Sequence, residues 1–397
     1  MDLRDTPSEE RFRSELRSWL DTTVPALGPK PAADDWVARR EYDTAWQRLL
    51  FDAGYAGVDW PIEGGGRGAS AAEQLIFVEE LERARAPYVG VNFVGLLHAG
   101  PTIAVEGTPE QRARYLPPIL RGEEVWCQGF SEPDAGSDLA SLRTRAERRG
   151  DRYVVNGSKI WTSHAEVADL CELLVRTGPE DSRHRGITWL IMPMDTPGIE
   201  IRPLRTIAGT DEFAELFLED VEIPVELRVG EEDDGWRVTM VTLGFERGTA
   251  FVGELLASME LLARLRDAAR SEAGGTGELA SRIGRLGAEL DGLWALVRRN
   301  VSIAARAGAT GAGGSVFKLA YSELRQRLGE LGMEMIGPAG LSRTEVDGLA
   351  WPRVEGGPGS AELVDVWING FSRTIAAGTS QIQRNIVAER VLGLPKG

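Results

Sequence analysis

At 397 residues, with 42% hydrophobic and 27% charged residues, the chain is long enough to bury a sizeable core in two or three associated segments. A formal net charge of −16 with no basic cluster excludes nucleic acid as a partner. Two cysteines (Cys127, Cys171) and three scattered histidines (His98, His164, His184) exclude a disulfide framework, a thiolate zinc site and paired-histidine metal chemistry, which leaves carboxylates or an organic cofactor.

The opening MDLRDTPSEERFRSELRSWL is charged and amphipathic, with no apolar leader core. No run of eighteen apolar residues occurs, so no membrane span is expected and the chain reads as cytoplasmic. Apolar spacing predicts helices over 8–20, 38–54, 70–86, 91–106 and 108–120, interrupted by PIEGGGRG (61–68), Pro87 and Pro101. From about 122 to 230 the pattern turns to short or alternating apolar runs, among them RYVVNGSKIWTS, LCELLVRT, GITWLIMPM and AELFLEDVEIP, which predict strands. Helical periodicity returns over 235–271, 278–307, 315–336 and 380–391, with GGTG (274–277) and GATGAGG (308–314) as connecting loops. The expected class is α with an inserted β domain, divided 1–121, 122–230 and 231–397.

Four segments are candidates for chemistry. WCQGFSEPDAGSD (126–138) ends a strand in a turn that bares backbone N–H groups and the hydroxyls of Ser131 and Ser137. It fits either an ordinary β-turn or a cradle for an electron-rich ring or phosphate. NGSKIWTSHAE (156–166) sets Trp161 among hydroxyl residues, as a core tryptophan or as a ring platform. In LGFERGTAFVGELL (243–256), Glu246 lies off the apolar stripe of Val238, Val241, Phe245, Val252, Leu255, Leu256 and Met259. It shares its face with Thr239, Thr242, Thr249, Ala250, Gly253 and Ala257, a set of small residues that resembles a groove wall. No base stands three or four residues away, so this carboxylate is either solvated or functional. In RTIAAGTSQIQRNIVAERVLGLP (373–395), Ser380 and Gln383 have capping-box spacing, which leaves Gly378 and Thr379 at a helix N-terminus suited to anions. No GxGxxG after a strand and no GxxxxGK[ST] occurs.

In register, these segments resemble the acyl-CoA dehydrogenase family over essentially the whole chain. The likeness is carried by GTPEQRARYLPPILRGEEVWCQGFSEPDAGSDLASLRTRAERRGDRYVVNGSKIWTS, VEIPVELRVGEEDDGW and GTSQIQRNIVAERVLGLP. It implies a helical N-terminal domain, a middle β-sandwich or barrel, a C-terminal four-helix bundle and non-covalent FAD. It also implies conversion of an acyl-CoA to its trans-2-enoyl thioester, with a carboxylate removing the α-proton and the β-hydrogen leaving as hydride to flavin N5. By position, Gln128, Phe130, Ser131, Ser137, Trp161, Ser163, Thr379 and Gln381 would meet FAD. Ser137, Arg247 and Gly378 would meet substrate.

The sequence departs from the family in two places. The residue before Gly-Thr, often the catalytic Glu, is Ala377, so the base falls to Glu246, the position used by the subgroup with isovaleryl and long-chain enzymes. Ala377 keeps the backbone N–H that the family uses to polarise the thioester carbonyl. Second, ARSEAGGTGELASRIG lacks the Arg-x-x-Phe-Gly element that reaches a neighbour's FAD. The later Gln-x-x-Gly-Gly element, whose counterparts would be Glu334 and Gly337, reads Glu334-Met-Ile-Gly-Pro338. The resemblance therefore implies a homo-oligomer or a hetero-oligomer with a related chain, with an electron-transferring flavoprotein as acceptor. The alternatives are a partner-dependent subunit or an oxidase on the same fold.

Overall fold

The computed structural model describes residues 4–246, 251–271, 277–307, 313–342 and 358–395, with the side chains of Phe245 and Glu246 outside that description. Two compact units form from non-contiguous stretches. One joins Leu20–Ser70 to Arg85–Glu246; the other joins Met1–Trp19, Ala71–Ala84 and Arg247–Gly397.

In the first unit, helices α2 (Trp36–Asp52), α4 (Gly100–Glu106) and α5 (Pro109–Arg121) precede the sheet, and α6 (Gly235–Glu246) follows it. Residues 91–106, expected as one helix, form a 3-10 turn at Gly90–Asn92, a π-turn at Gly95–Ala99 and then α4, with Pro101 in its first turn. Pro101 lacks the N–H for an interior bond, so a helix continues through it only by restarting there. α5 opens on a reciprocal cap, Gln111 N–H to Thr108 Oγ1 (3.2 Å) and Thr108 N–H to Gln111 Oε1 (3.0 Å). The amide nitrogen of Gln111 then donates to the carbonyls of Glu226 and Arg228, both at 2.8 Å, fastening the helix to the end of the sheet.

The sheet contains β1 (Trp126–Gly129), β2 (Arg145–Arg149), β3 (Arg152–Ser163), β4 (Leu170–Arg176), β5 (Ile187–Pro193), β6 (Ile199–Leu204), β7 (Phe213–Pro224) and β8 (Arg228–Val229). Its order is β6-β7-β3-β2-β4-β5-β8, with β1 pairing parallel to β4. β4 is buried along its whole length, which is why LCELLVR reads as a continuous run and not as alternation. Cys127, Tyr153, Val155, Leu173, Leu190, Met192, Leu216 and Ile223 belong to the core.

The second unit contains α1 (Pro7–Thr23, its first thirteen residues), α3 (Ala71–Ala84), α7 (Val252–Ser271), α8 (Gly277–Ala307), α9 (Gly313–Ile336), α10 (Ser360–Arg373) and α11 (Ser380–Ile386). α1 and α3 are joined by buried Glu80, which binds Arg13, Arg17 and Arg83. The expected helix 235–271 is seen as α6 and α7, residues 247–250 lying outside the described residues. α10 was not anticipated, although Leu363, Val364, Trp367 and Phe371 have helical spacing; the turn-like VEGGPGS before them obscured it. α10 lies close on α9 because Gly329 and Gly332 have no side chains: a Cβ there would stand 2.8 Å from Trp367 Cα and 2.9 Å from Leu363 Cδ2.

Candidate active site

The turn after β1 and the end of β3 meet in the first unit. Ile160 N–H donates to the Ser131 carbonyl (2.9 Å), and Lys159 Nζ donates to the Phe130 carbonyl (3.1 Å) and to Glu132 Oε1 (2.8 Å). Lys159 is fully buried and Glu132 nearly so. The Glu132 carboxylate also accepts from the N–H groups of Arg143 (2.6 Å) and Thr144 (2.8 Å). Burial works against its charge, but Lys159 and these donors outweigh that and hold its carboxyl below the usual range. An ammonium and a carboxylate inside the protein thus lock the SEPDAGSD turn onto β3.

Beyond Lys159 the pairing of β3 with β7 slips. Lys159 faces Leu216 and Thr162 faces Ala214, so three steps along β3 match two along β7. The extra residue is a β-bulge, and it turns Trp161 outward with φ 61° and 57% exposure. The indole stands edge-on to Phe213 at 5.9 Å. Phe130 is buried, Ser131 and Ser163 are half-buried, and Ser137 is exposed. Among the described residues, none of these three serine hydroxyls has a hydrogen-bond partner. An uncovered indole face with unengaged hydroxyls beside it fits a flat, polar-edged ring system such as a flavin.

Gln128 is placed differently. Its amide nitrogen faces Glu172 Oε1 (2.7 Å) and His98 Nδ1 (3.0 Å), both residues buried, so the side chain turns toward the interior. His164, three residues after Trp161, also has positive φ (59°) and packs on Trp36 at 4.8 Å. Burial, aided by Arg39, lowers its pKa to about 4 and keeps it neutral.

In the second unit, the turn before α11 carries Ala377, Gly378, Thr379 and Gln381. The helix cap is Thr379, whose Oγ1 accepts from Ile382 N–H (3.2 Å), and not the expected Ser380 and Gln383 pair. Gln383 is engaged elsewhere: its buried amide donates to the Ala377 carbonyl at 2.8 Å. Ala377 (φ 54°) and Gly378 (φ 84°) are both left-handed. Lys318 of α9, 3% exposed, donates to the Gly378 carbonyl at 2.6 Å. The N–H groups of Ala377, Gly378 and Thr379 have no partner among the described residues. Gln381 is exposed. Glu334 is 61% exposed and pairs with Arg282, and Gly337 takes φ 54° where α9 ends.

Glu246 is the final residue of α6; its side chain and the whole of Arg247 lie outside the described residues. The face leading to Glu246 is packed and does not begin as an open groove. Thr239 and Thr242 are both fully buried, Thr239 Oγ1 donating to the Gly235 carbonyl (2.7 Å) and Thr242 Oγ1 lying 2.9 Å from Thr102 Oγ1. The sequence reading gave no role to Glu132, Lys159 or Lys318, and took Gln383 only as half of a capping box. Glu132, Lys159 and Gln383 stand inside quoted motifs and Lys318 in an expected helix, but linear spacing does not reveal what a side chain bonds to in space.

In chain order, helices, a sheet with an outward indole near a serine-rich turn, and helices again with a donor-bearing turn form an architecture that fits a flavin-binding oxidoreductase. Sequence models place it more closely. The Acyl-CoA dehydrogenase N-terminal, middle and C-terminal domains match residues 6–123, 127–221 and 233–392. The chain is 40% identical to acyl-CoA dehydrogenase IpdE1 of Mycobacterium tuberculosis over 98% of both chains, and 36% identical to acyl-CoA dehydrogenase FadE26 of the same organism over 100% and 99%. Among solved structures, a Tcur3481-Tcur3483 steroid ACAD is 31% identical over 100% of both chains with a TM-score of 0.83. The ChsE4-ChsE5 complex from M. tuberculosis is 33% identical over the same shares, also at 0.83. The chain belongs to the acyl-CoA dehydrogenase family and is an FAD-dependent oxidoreductase. No helix among the described residues is long and apolar enough to cross a membrane.

Proposed function

We propose that the chain dehydrogenates a bulky, ring-bearing acyl-CoA, of the kind a steroid side chain yields, at its α,β bond with Glu246 as base. The observation that carries the assignment of the base is Ala377: the turn residue before Gly-Thr has no ionisable group, yet its N–H is uncommitted among the described residues. The family's chemistry needs a carbonyl polariser and a base. With only the first available at this turn, the base must come from elsewhere, and Glu246 at the end of α6 is the carboxylate whose position matches. FAD, when bound, supplies the hydride acceptor. By the family resemblance, Phe130, Ser131, Ser137, Trp161 and Ser163 of the first unit would hold it, and the resemblance gives Thr379 and Gln381 of the second unit an FAD-binding role as well. Ala377 N–H would hold the thioester oxygen, while Gly378, Ser137 and Arg247 would line the path of the substrate.

The acyl class is supported by the steroid ACAD among the solved relatives. Two of those relatives are named as pairs of unlike chains, and this chain lacks the Arg-x-x-Phe-Gly element. We therefore read it as one half of a hetero-oligomer, which passes electrons to an electron-transferring flavoprotein.

The test is anaerobic absorbance of the flavin before and after addition of acyl-CoA thioesters. Glu246→Gln should retain FAD and lose roughly 10²–10⁴-fold in the rate of flavin bleaching. Near-normal bleaching by that variant would remove Glu246 from the mechanism. Preference for short straight-chain thioesters over ring-bearing ones would refute the substrate class.

A further inference from the structure

Two buried donors stand behind the α11 turn. Lys318 Nζ reaches the Gly378 carbonyl at 2.6 Å, and Gln383 Nε2 reaches the Ala377 carbonyl at 2.8 Å and the Gly378 carbonyl at 3.5 Å. Lys318 is 3% exposed and Gln383 fully buried. Neither position is an ordinary place for these side chains, because burying an ammonium or an amide is costly unless it does compensating hydrogen-bond work. Here both bind the same turn. Ala377 is a non-glycine residue in the left-handed region, a conformation that persists only where its surroundings over-determine it. At Gly378 (φ 84°) a side chain would be strained, and its Cβ would stand 2.7 Å from Gln383 Nε2 and displace that amide.

The consequence follows from the geometry of a peptide. When a carbonyl accepts a hydrogen bond, the N–H of the same amide unit becomes a stronger donor. The Ala377 carbonyl shares its amide with Gly378 N–H, and the Gly378 carbonyl shares its amide with Thr379 N–H. Both carbonyls are drawn toward the bundle interior, and both N–H groups have no partner among the described residues.

We propose that Lys318, with Gln383, is a positioning residue that fixes this turn and polarises its N–H groups toward an electron-rich ligand. The buried positive charge acts on the Thr379 N–H through one peptide unit, and Gln383 acts likewise on the Gly378 N–H. A ligand state that gains electron density beside these two N–H groups, such as a reduced flavin, is favoured over the state it comes from. The inference rests on the reading that this turn faces flavin and substrate.

The experiment uses the holoprotein as isolated, with its partner chain wherever flavin retention requires one. The midpoint potential of the bound flavin is titrated without substrate in wild type, Lys318→Met, Lys318→Gln and Lys318→Arg, and acyl-CoA bleaching rates follow. The Met and Gln variants should shift the potential negative and slow bleaching roughly tenfold or more, with KM little changed, while Arg restores most of both. If Met does not fold, Gln carries the test, since it keeps a polar donor, one atom shorter in reach, while removing the charge. Unchanged potential and rate per bound flavin in the neutral variants would overturn the proposal, as would losses that only track lost FAD. Because the potential is read without substrate, it still decides the role of Lys318 if no acyl-CoA bleaches the wild type and the dehydrogenase reading fails.

Discussion

Trp161 differs from a core tryptophan in two respects, its 57% exposure and its positive φ. A bulge aims it outward, so its removal should scarcely affect folding. Trp161→Ala is expected to keep its melting temperature as apoprotein but to weaken FAD binding roughly tenfold, an aromatic contact of about 1 kcal/mol plus lost area, read by equilibrium dialysis. Lys159 is the opposite case, wholly buried and paired with Glu132. Lys159→Met leaves Glu132 charged and buried without its cation, which should cost about 3–5 kcal/mol in urea denaturation. Because Glu132 has a depressed pKa when folded, its contribution is present above the unfolded carboxyl pKa near 4.3 and is lost as pH falls below that value. A Lys159→Met protein as stable as wild type would mean that Glu132 is satisfied by its two backbone donors alone.

At the scale of elements, α1 and α3 are held by one carboxylate. Burial opposes the charge of Glu80, but Arg17, Arg83 and Arg13 overcome it and bring the pKa down to about 2. The stabilisation is complete above the unfolded value near 4.3 and disappears as pH falls toward 2. Glu80→Gln should therefore cost about 2–3 kcal/mol at pH 7 and little at pH 2, measured by denaturation across that range. An equal cost at both ends would assign the effect to packing. The α11 turn shows how elements redirect a motif. Ser380 and Gln383 have capping-box spacing, but the hydroxyl of Thr379 caps first, and the Gln383 amide is captured by carbonyls of the preceding turn. Spacing alone does not rank these competing partners.

For the whole molecule, acid sensitivity begins above the carboxylate range. His164 is neutral in the folded protein with a pKa of about 4, while an unfolded histidine protonates near 6.5. Between those values the unfolded chain binds a proton that the folded chain does not, so stability is full above pH 6.5 and declines toward pH 4, by at most about 3 kcal/mol. His164→Asn should flatten this window; a pH–stability curve unchanged by the substitution would shift the acid response to the carboxylates. The missing Arg-x-x-Phe-Gly element makes a separate prediction. The chain expressed alone should hold substoichiometric FAD and gain it when an unlike related chain is supplied, read from absorbance across gel filtration. Full FAD in the chain alone would end the two-chain reading.

Much of the architecture was legible along the chain, because helical and strand periodicities differ and glycine and proline mark the boundaries; α2, α5, β1, β3, β4, β5 and β7 appear where their patterns place them. Ser131, Ser137 and Trp161 belong to contiguous motifs, which the residues alone read either as an ordinary turn and a core tryptophan or as a ring site; the structure decides only that Trp161 is exposed. What composition and spacing determined was the class of each segment; the candidate residues, and the alanine at 377 where many family members have their base, follow from the resemblance to the family. Only the tertiary structure decided which side chains meet. It paired Lys159 with Glu132, turned Gln128 inward to His98 and Glu172, packed Thr239 and Thr242 shut, and set Lys318 behind Gly378. The reason is physical. Local periodicity reports which face of an element is apolar, whereas a buried polar contact depends on the fold of segments 27, 44 or 60 residues apart, whose separation leaves no periodic trace.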